Sequence, residues 1–121
     1  MNKRNTGTWY ENLAAEYIKQ QGARIVKRNY RTRSGEIDLV ANDGGYTCFI
    51  EVKYRRDNRC GEPEMAVDYR KQRQISKVSR HFLYFILKSD EIPIRYDVIA
   101  ISGEQGAVTV KWHKNAFDYI E

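Results

Sequence analysis

Two short apolar runs with charges embedded in them constrain this chain more than any other feature of its sequence. The first is Gly35-Glu36-Ile37-Asp38-Leu39-Val40 and the second Phe49-Ile50-Glu51-Val52-Lys53, with the turn-forming Asn42-Asp43-Gly44-Gly45 between them. Runs of this length and pattern, bounded by turn residues, read as the paired strands of a β-hairpin. An ionised carboxylate inside an apolar strand is costly unless a partner or a cation compensates it. Strand period puts Glu51 and Lys53 on one face and Ile50 and Val52 on the other. With Asp43-Gly44 as the hairpin tip, Asp38 stands opposite Phe49 and diagonal to Glu51, within side-chain reach. Two carboxylates and one ammonium then share a patch that suits a hard divalent cation such as Mg²⁺. The same residues also admit a plainer arrangement, in which Glu51 and Lys53 form a strand-end ion pair and Asp38 accepts a backbone hydrogen bond.

The 121 residues fit one compact domain, 1–121, because neither half shifts in composition and there is no internal repeat or low-complexity segment. No apolar run approaches the roughly 20 residues of a membrane span, and the basic start Met1-Asn2-Lys3-Arg4-Asn5-Thr6 is not followed by an apolar signal region. A cytoplasmic protein with no membrane partner is the expectation. Cys48 falls in a strand and Cys60 in a loop, without C-x-x-C spacing, so both read as reduced thiols and Cys48 as a small core residue.

Lys and Arg number 21 against 16 Asp and Glu, a net charge of +5, and the excess is clustered. Lys27, Arg28, Arg31 and Arg33 form one group; Lys53, Arg55, Arg56 and Arg59 a second; Arg70, Lys71, Arg73, Lys77 and Arg80 a third. Tyr30, Tyr54 and Tyr69 are interleaved with them. Cations among aromatic rings suit a polyanion whose phosphates need neutralising and whose bases or sugars can stack. Arg31, Arg33, Arg55, Arg56, Arg70, Lys71, Arg73 and Lys77 are the candidate nucleic-acid contacts. A modest positive charge also serves solubility alone.

Thr6 or Thr8 can cap a first helix that runs to about Gln21 and stops at Gly22, with Tyr10, Leu13, Ala14, Tyr17 and Ile18 as its buried stripe. Glu11 lies on the margin of that stripe. It either favours the helix dipole or leans toward the Asp38–Glu51 patch. A strand over Ala23 to Arg31, the turn Arg33-Ser34-Gly35 and the hairpin make an antiparallel meander. The polar stretch from Arg56 to Pro63 reads as a loop. Ile75, Val78, Phe82, Phe85 and Ile86 then share one face of a long helix. Beyond Pro93 come a strand from Ile94 to Ile101, a turn from Gly103 to Gly106, and a last strand from Ala107 to Trp112. Asp97 is an alternative ion partner or an anchor for neighbouring backbone, and His81 and His113 read as structural. The order αβββαββ predicts a mixed sheet covered by helices on both faces.

An ordered set of motifs runs through most of the chain: Glu11-Asn12-Leu13-Ala14; Gly35 to Val40; Glu51-Val52-Lys53; Gly61, Pro63 and Ala66-Val67; Lys71-Gln72; Tyr96-Asp97-Val98-Ile99-Ala100; and Asn115-Ala116-Phe117. In this set the chain resembles the YraN-like family of uncharacterised bacterial proteins, related to archaeal Holliday-junction resolvases within the PD-(D/E)XK nuclease superfamily. The resemblance implies a restriction-endonuclease-like α/β core. It makes Asp38 and Glu51 metal ligands together with the Val52 carbonyl, Glu11 the acidic residue that completes the site, and Lys53 the lysine that orients water or stabilises charge. Gln72 or Gln74 assists. One departure is Tyr10, where the family usually has glycine before the glutamate. The implied activity is a structure-sensitive DNA endonuclease, with weakly bound Mg²⁺ or Mn²⁺, acting on branched DNA in recombination or repair, and by analogy with resolvases a homodimer. The alternatives are a non-catalytic nucleic-acid-binding module of the same fold and a structural domain whose charges form an internal ion network.

Overall fold

The structure, a computed structural model, describes residues 3–56 and 67–121. Arg59, Cys60, Gly61, Pro63 and Ala66 lie outside the described residues. The elements are α1 (Lys3–Gln20), β1 (Arg24–Thr32), β2 (Gly35–Asp43), β3 (Tyr46–Arg55), α2 (Tyr69–Phe82), a π-helical turn (Leu83–Leu87), β4 (Ile94–Glu104) and β5 (Ala107–Phe117). The strands lie in sequence order, β1-β2-β3-β4-β5. Only β3 and β4 pair in parallel; the other neighbours are antiparallel. A parallel pair needs a long crossover, and α2 with its π-helical turn lies in it. The mixed α/β sheet expected from the hydrophobic pattern is the one observed.

The two helices cover opposite faces. Tyr10, Ala14 and Ile18 of α1 pack with Leu39, Ile50, Val52, Ile99 and Ile101, whereas Ile75, Val78 and Phe82 of α2 pack with Val40, Phe49, Tyr96 and Val98. Ile50 and Val52 thus face α1, as strand period requires, and Glu51 faces α2. Helix α1 begins earlier than a Thr6 or Thr8 cap would allow, because buried Thr6 continues the four-residue line of Tyr10, Ala14 and Ile18. It ends as expected at Gly22, whose φ of 99° lets its amide reach Lys19 O at 3.0 Å while the Ala23 amide reaches Ile18 O at 2.9 Å. The Tyr10 hydroxyl donates to Gly103 O at 2.6 Å, and its ring stacks on Tyr54 with centroids 4.2 Å apart.

Three details depart from the sequence reading. The hairpin tip is Gly44-Gly45 rather than Asp43-Gly44: Asp43 pairs with Tyr46 and Val40 with Phe49. Both glycines have positive φ, 59° and 92°, the geometry of a tight two-residue turn, so Asp38 does not stand opposite Phe49. The second concerns Phe85 and Ile86, expected in the buried stripe but 56% and 53% exposed. The α-helix gives way after Phe82 to a π-helical turn, whose wider winding turns Leu83 and Leu87 toward the core and swings Phe85 and Ile86 outward. The third is length, since β4 and β5 reach Glu104 and Phe117.

Asp97 is fully buried and anchors its surroundings. Its carboxylate accepts from Arg95 Nε and Nη2, both at 2.9 Å, from Trp112 Nε1 at 3.0 Å and from the Asn115 amide at 2.9 Å. Arg95 Nη2 also donates to Asp43 at 2.8 Å, which holds the Asp43 carboxyl below its ordinary pKa. Burial pushes the Cys48 thiol up to about 12, as befits an unreactive core residue.

Candidate active site

The β2–β3 ladder closes at Leu39 with Ile50. On the near side of that closure the alternation of β2 breaks, since Ile37 packs with the α2-side core and Leu39 with the α1-side core. Asp38 sits at the break. Its Oδ2 accepts from the Val52 amide at 2.7 Å, so a side chain takes a backbone N–H just past the end of the β2–β3 ladder. Val52 therefore meets Asp38 through its amide.

Glu51, on the neighbouring strand, has a side chain only 16% exposed, and its Oε2 lies 3.6 Å from Lys71 Nζ of α2. Burial raises the Asp38 carboxyl to about 7, with the adjacent Glu51 charge and, more weakly, that of Glu36 adding to the rise and the Val52 amide opposing it. Burial raises Glu51 as well, opposed by Lys71, by its hydrogen bond with Asp38 and by Lys53. Each carboxyl is thus raised first by burial, and the two share a hydrogen bond, so that the pair as a unit holds a proton. Glu51 takes its ion pair from Lys71 on α2, and Lys53 acts on it through its field.

Glu11 approaches from the other layer. Its carboxyl is raised first by burial and then by the Asp38 charge, while a hydrogen bond with the Asn29 side chain lowers it. Asn29 has φ 53°, a kink in β1 that leaves its side chain available to α1. Gln72 is engaged elsewhere, donating from Nε2 to Val67 O at 2.7 Å at the start of α2. Gln74 lies over Gly35, where an added Cβ would come within 2.5 Å of its side chain.

Among the described residues, no three His, Cys, Asp or Glu side chains form a group able to hold a metal ion. The Asp38–Glu51 pair nevertheless fits a hard divalent cation chemically: its donors are all oxygen, and its desolvation and mutual repulsion are relieved by added positive charge.

Arg70, Lys71, Arg73 and Lys77, with Ser34, Asp68, Tyr69 and Gln74, line an open groove of about 620 Å³ along α2. Lys71 joins this groove to the carboxylate pair. Spacing gave no sign of its contact with Glu51, which depends on how the parallel crossover lays α2 over β3. The other cations expected to meet nucleic acid do not line the groove. Arg31 pairs with Glu36 at 3.0 Å, Arg56 with Glu104 at 3.3 Å, and Arg33 and Arg55 are exposed.

A five-stranded mixed sheet between two helices, with a desolvated carboxylate pair where β2 parts from β3, defines an α/β protein with a charged site on the α2 face. Residues 10–101 match the uncharacterised protein family UPF0102, and the chain belongs to that family, the YraN-like one that its motifs resemble. It is 42% identical over 118 residues to a UPF0102 protein of Lachnoclostridium phytofermentans, covering 98% of this chain and 97% of the relative. It is 40% identical over 112 residues to a UPF0102 protein of Legionella pneumophila, covering 93% of each. Among solved structures, Pyrococcus furiosus SfsA in complex with Ca²⁺ is similar at a TM-score of 0.39 and 16% identity, over 93% of this chain and 64% of that one. No helix among the described residues is long and apolar enough to cross a membrane.

Proposed function

We propose that this protein is a Mg²⁺- or Mn²⁺-dependent endonuclease that hydrolyses phosphodiester bonds in DNA and senses its structure. The observation that carries the reading is the Asp38–Glu51 pair: two partly buried carboxyls that share a hydrogen bond, with Asp38 raised to about 7, beside a groove whose walls include Arg70, Lys71, Arg73 and Lys77. Strongly perturbed carboxyls next to a phosphate-binding surface are an arrangement suited to catalysis. The resemblance to resolvases and to the restriction-endonuclease-like core supports the same reading, and with it a homodimer working in the cytoplasm on branched DNA during recombination or repair.

Phosphodiester hydrolysis is very slow uncatalysed, so a site must supply a nucleophile and stabilise charge growing on the phosphoryl oxygens. A divalent cation held by Asp38 and Glu51, with the Val52 carbonyl, would polarise the phosphate and acidify a water. The pair must give up its shared proton before it can hold that cation. Lys53 compensates charge beside Glu51, and Lys71, on exchanging its carboxylate for a phosphate, couples strand binding to release of Glu51. Glu11 adds negative charge from the other layer, and Gln72 positions the start of α2. Arg70, Arg73 and Lys77 neutralise the strand.

The test is a panel of labelled branched, duplex and single-stranded DNAs incubated with Mg²⁺ or Mn²⁺. Wild type should nick at least one substrate, and Asp38→Asn and Glu51→Gln should lose about a thousandfold or more of that rate while remaining folded, as for loss of a major electrostatic group. Equal cutting by wild type and both variants defeats the assignment. One observation favours a second reading, a nucleic-acid-binding module without turnover: the Lys71 ammonium lies against Glu51, where a cation would sit. That reading requires salt-sensitive binding and no cleavage with either metal.

A further inference from the structure

The groove along α2 does not end with its cations. Lys77 also lines a second depression, about 920 Å³ in volume, whose other walls include Arg80, His81, Tyr84, Phe85 and Lys88. Arg70, Arg73, Lys77, Arg80 and Tyr84 recur at steps of three and four, which puts them on one exposed face. From Arg70 to Tyr84 that ridge is roughly 20 Å long at the rise of a helix. It starts beside Lys71 and Glu51 and finishes in rings.

Those rings form a shelf built by the π-helical turn. Tyr84 is 73% and Phe85 56% exposed. Phe85 lies against His81 with centroids 4.4 Å apart and against Tyr84 at 4.8 Å. A hydrogen bond between the Tyr30 hydroxyl and His81 Nδ1 ties the shelf to β1. Asp90 is the one acidic residue among the described walls of this second depression, against Lys77, Arg80 and Lys88. An apolar protein partner has no need of three cations around the rings, and a duplex buries its base faces within its own stack. A strand with unpaired bases uses both features, its phosphates meeting the cations and its bases the rings.

We propose that this shelf binds an unpaired stretch of a nucleic-acid strand by stacking its bases on Tyr84 and Phe85, while Lys77, Arg80 and Lys88 hold the flanking phosphates. The inference rests on the nuclease reading in one respect: it makes the substrate a DNA with a single-stranded segment next to the bond presented to Asp38 and Glu51. Binding by the shelf itself needs no metal and no cleavage.

The experiment measures fluorescence anisotropy of labelled oligo(dT), oligo(rU) and a duplex of equal phosphate number, in EDTA, with the full-length chain. Tyr84→Ala/Phe85→Ala should weaken oligo(dT) binding by about ten- to a hundredfold and duplex binding by less than about twofold, with the salt dependence unchanged. Tyr84→Phe/Phe85→Tyr keeps both rings and should bind as wild type does. Oligo(rU) losing as much as oligo(dT) places the recognition in the bases, and a loss confined to oligo(dT) makes it selective for DNA; both support the shelf. Unchanged oligo(dT) binding, equal losses on single strand and duplex, or an alanine variant that sediments at a different mass would overturn it, the last by showing a second copy on the shelf. Retained stacking without cleavage by wild type would defeat the nuclease reading alone, and cleavage without stacking the shelf alone.

Discussion

Replacing Asp38 with asparagine should make the metal-free protein more stable at neutral pH. In the folded chain the Asp38 carboxyl is raised from an ordinary 3.8 to about 7, by burial first and the Glu51 charge second. A group with a raised folded pKa holds its proton more tightly when folded, so its stabilising effect is complete below pH 3.8 and is lost as pH rises through 7. At about 1.4 kcal/mol for each tenfold change in proton affinity, the loss is of order 4 kcal/mol. Asparagine carries no charge at any pH, and its side-chain oxygen still accepts the Val52 amide, so most of that loss should disappear. Thermal unfolding followed by circular dichroism in EDTA, from pH 4 to pH 8, measures it. Asp38→Asn should melt about 5–15 °C above wild type at pH 8, with the gap closing toward pH 4. Millimolar Mg²⁺ should raise the wild-type midpoint at pH 8 and leave that of the variant nearly unmoved. Parallel profiles for the two proteins, or a variant less stable at pH 8, would show that Asp38 is not a strained, proton-holding carboxyl, and the cation-site argument would lose its footing.

Two further outcomes test the frame around the site. Asp97→Ala leaves the Arg95 guanidinium with Asp43 alone and frees the Asn115 amide and the Trp112 indole, so denaturant unfolding should show a loss of about 3–5 kcal/mol; a loss below about 1 kcal/mol would refute the anchoring role. Gly103→Ala forces a Cβ to within 2.0 Å of Ala107 O at a φ of 100°, so the β4–β5 hairpin must open there. The variant should lose at least about 2–3 kcal/mol, and unchanged stability would mean that the close backbone approach is wrong.

The sequence by itself determined the element order, the mixed sheet, the stop at Gly22 and the division of Ile50 and Val52 from Glu51. These follow from local periodicity and from backbone positions that only a few residue types tolerate, and each is written in neighbouring residues. It also determined that Asp38 and Glu51 would be costly to bury, because their strands are otherwise apolar. The tertiary structure decided what meets them. Gly44-Gly45 rather than Asp43-Gly44 turns the hairpin and moves Asp38 to the Val52 amide. The parallel crossover lays Lys71 over Glu51, and the π-helical turn sends Phe85 and Ile86 out to solvent where a continued α-helical stripe would have buried them. Arg95 and Trp112 converge on Asp97 from elements whose relative placement no local pattern records. Contacts between residues distant along the chain depend on register, winding and crossover, and those are set only when the whole sheet closes.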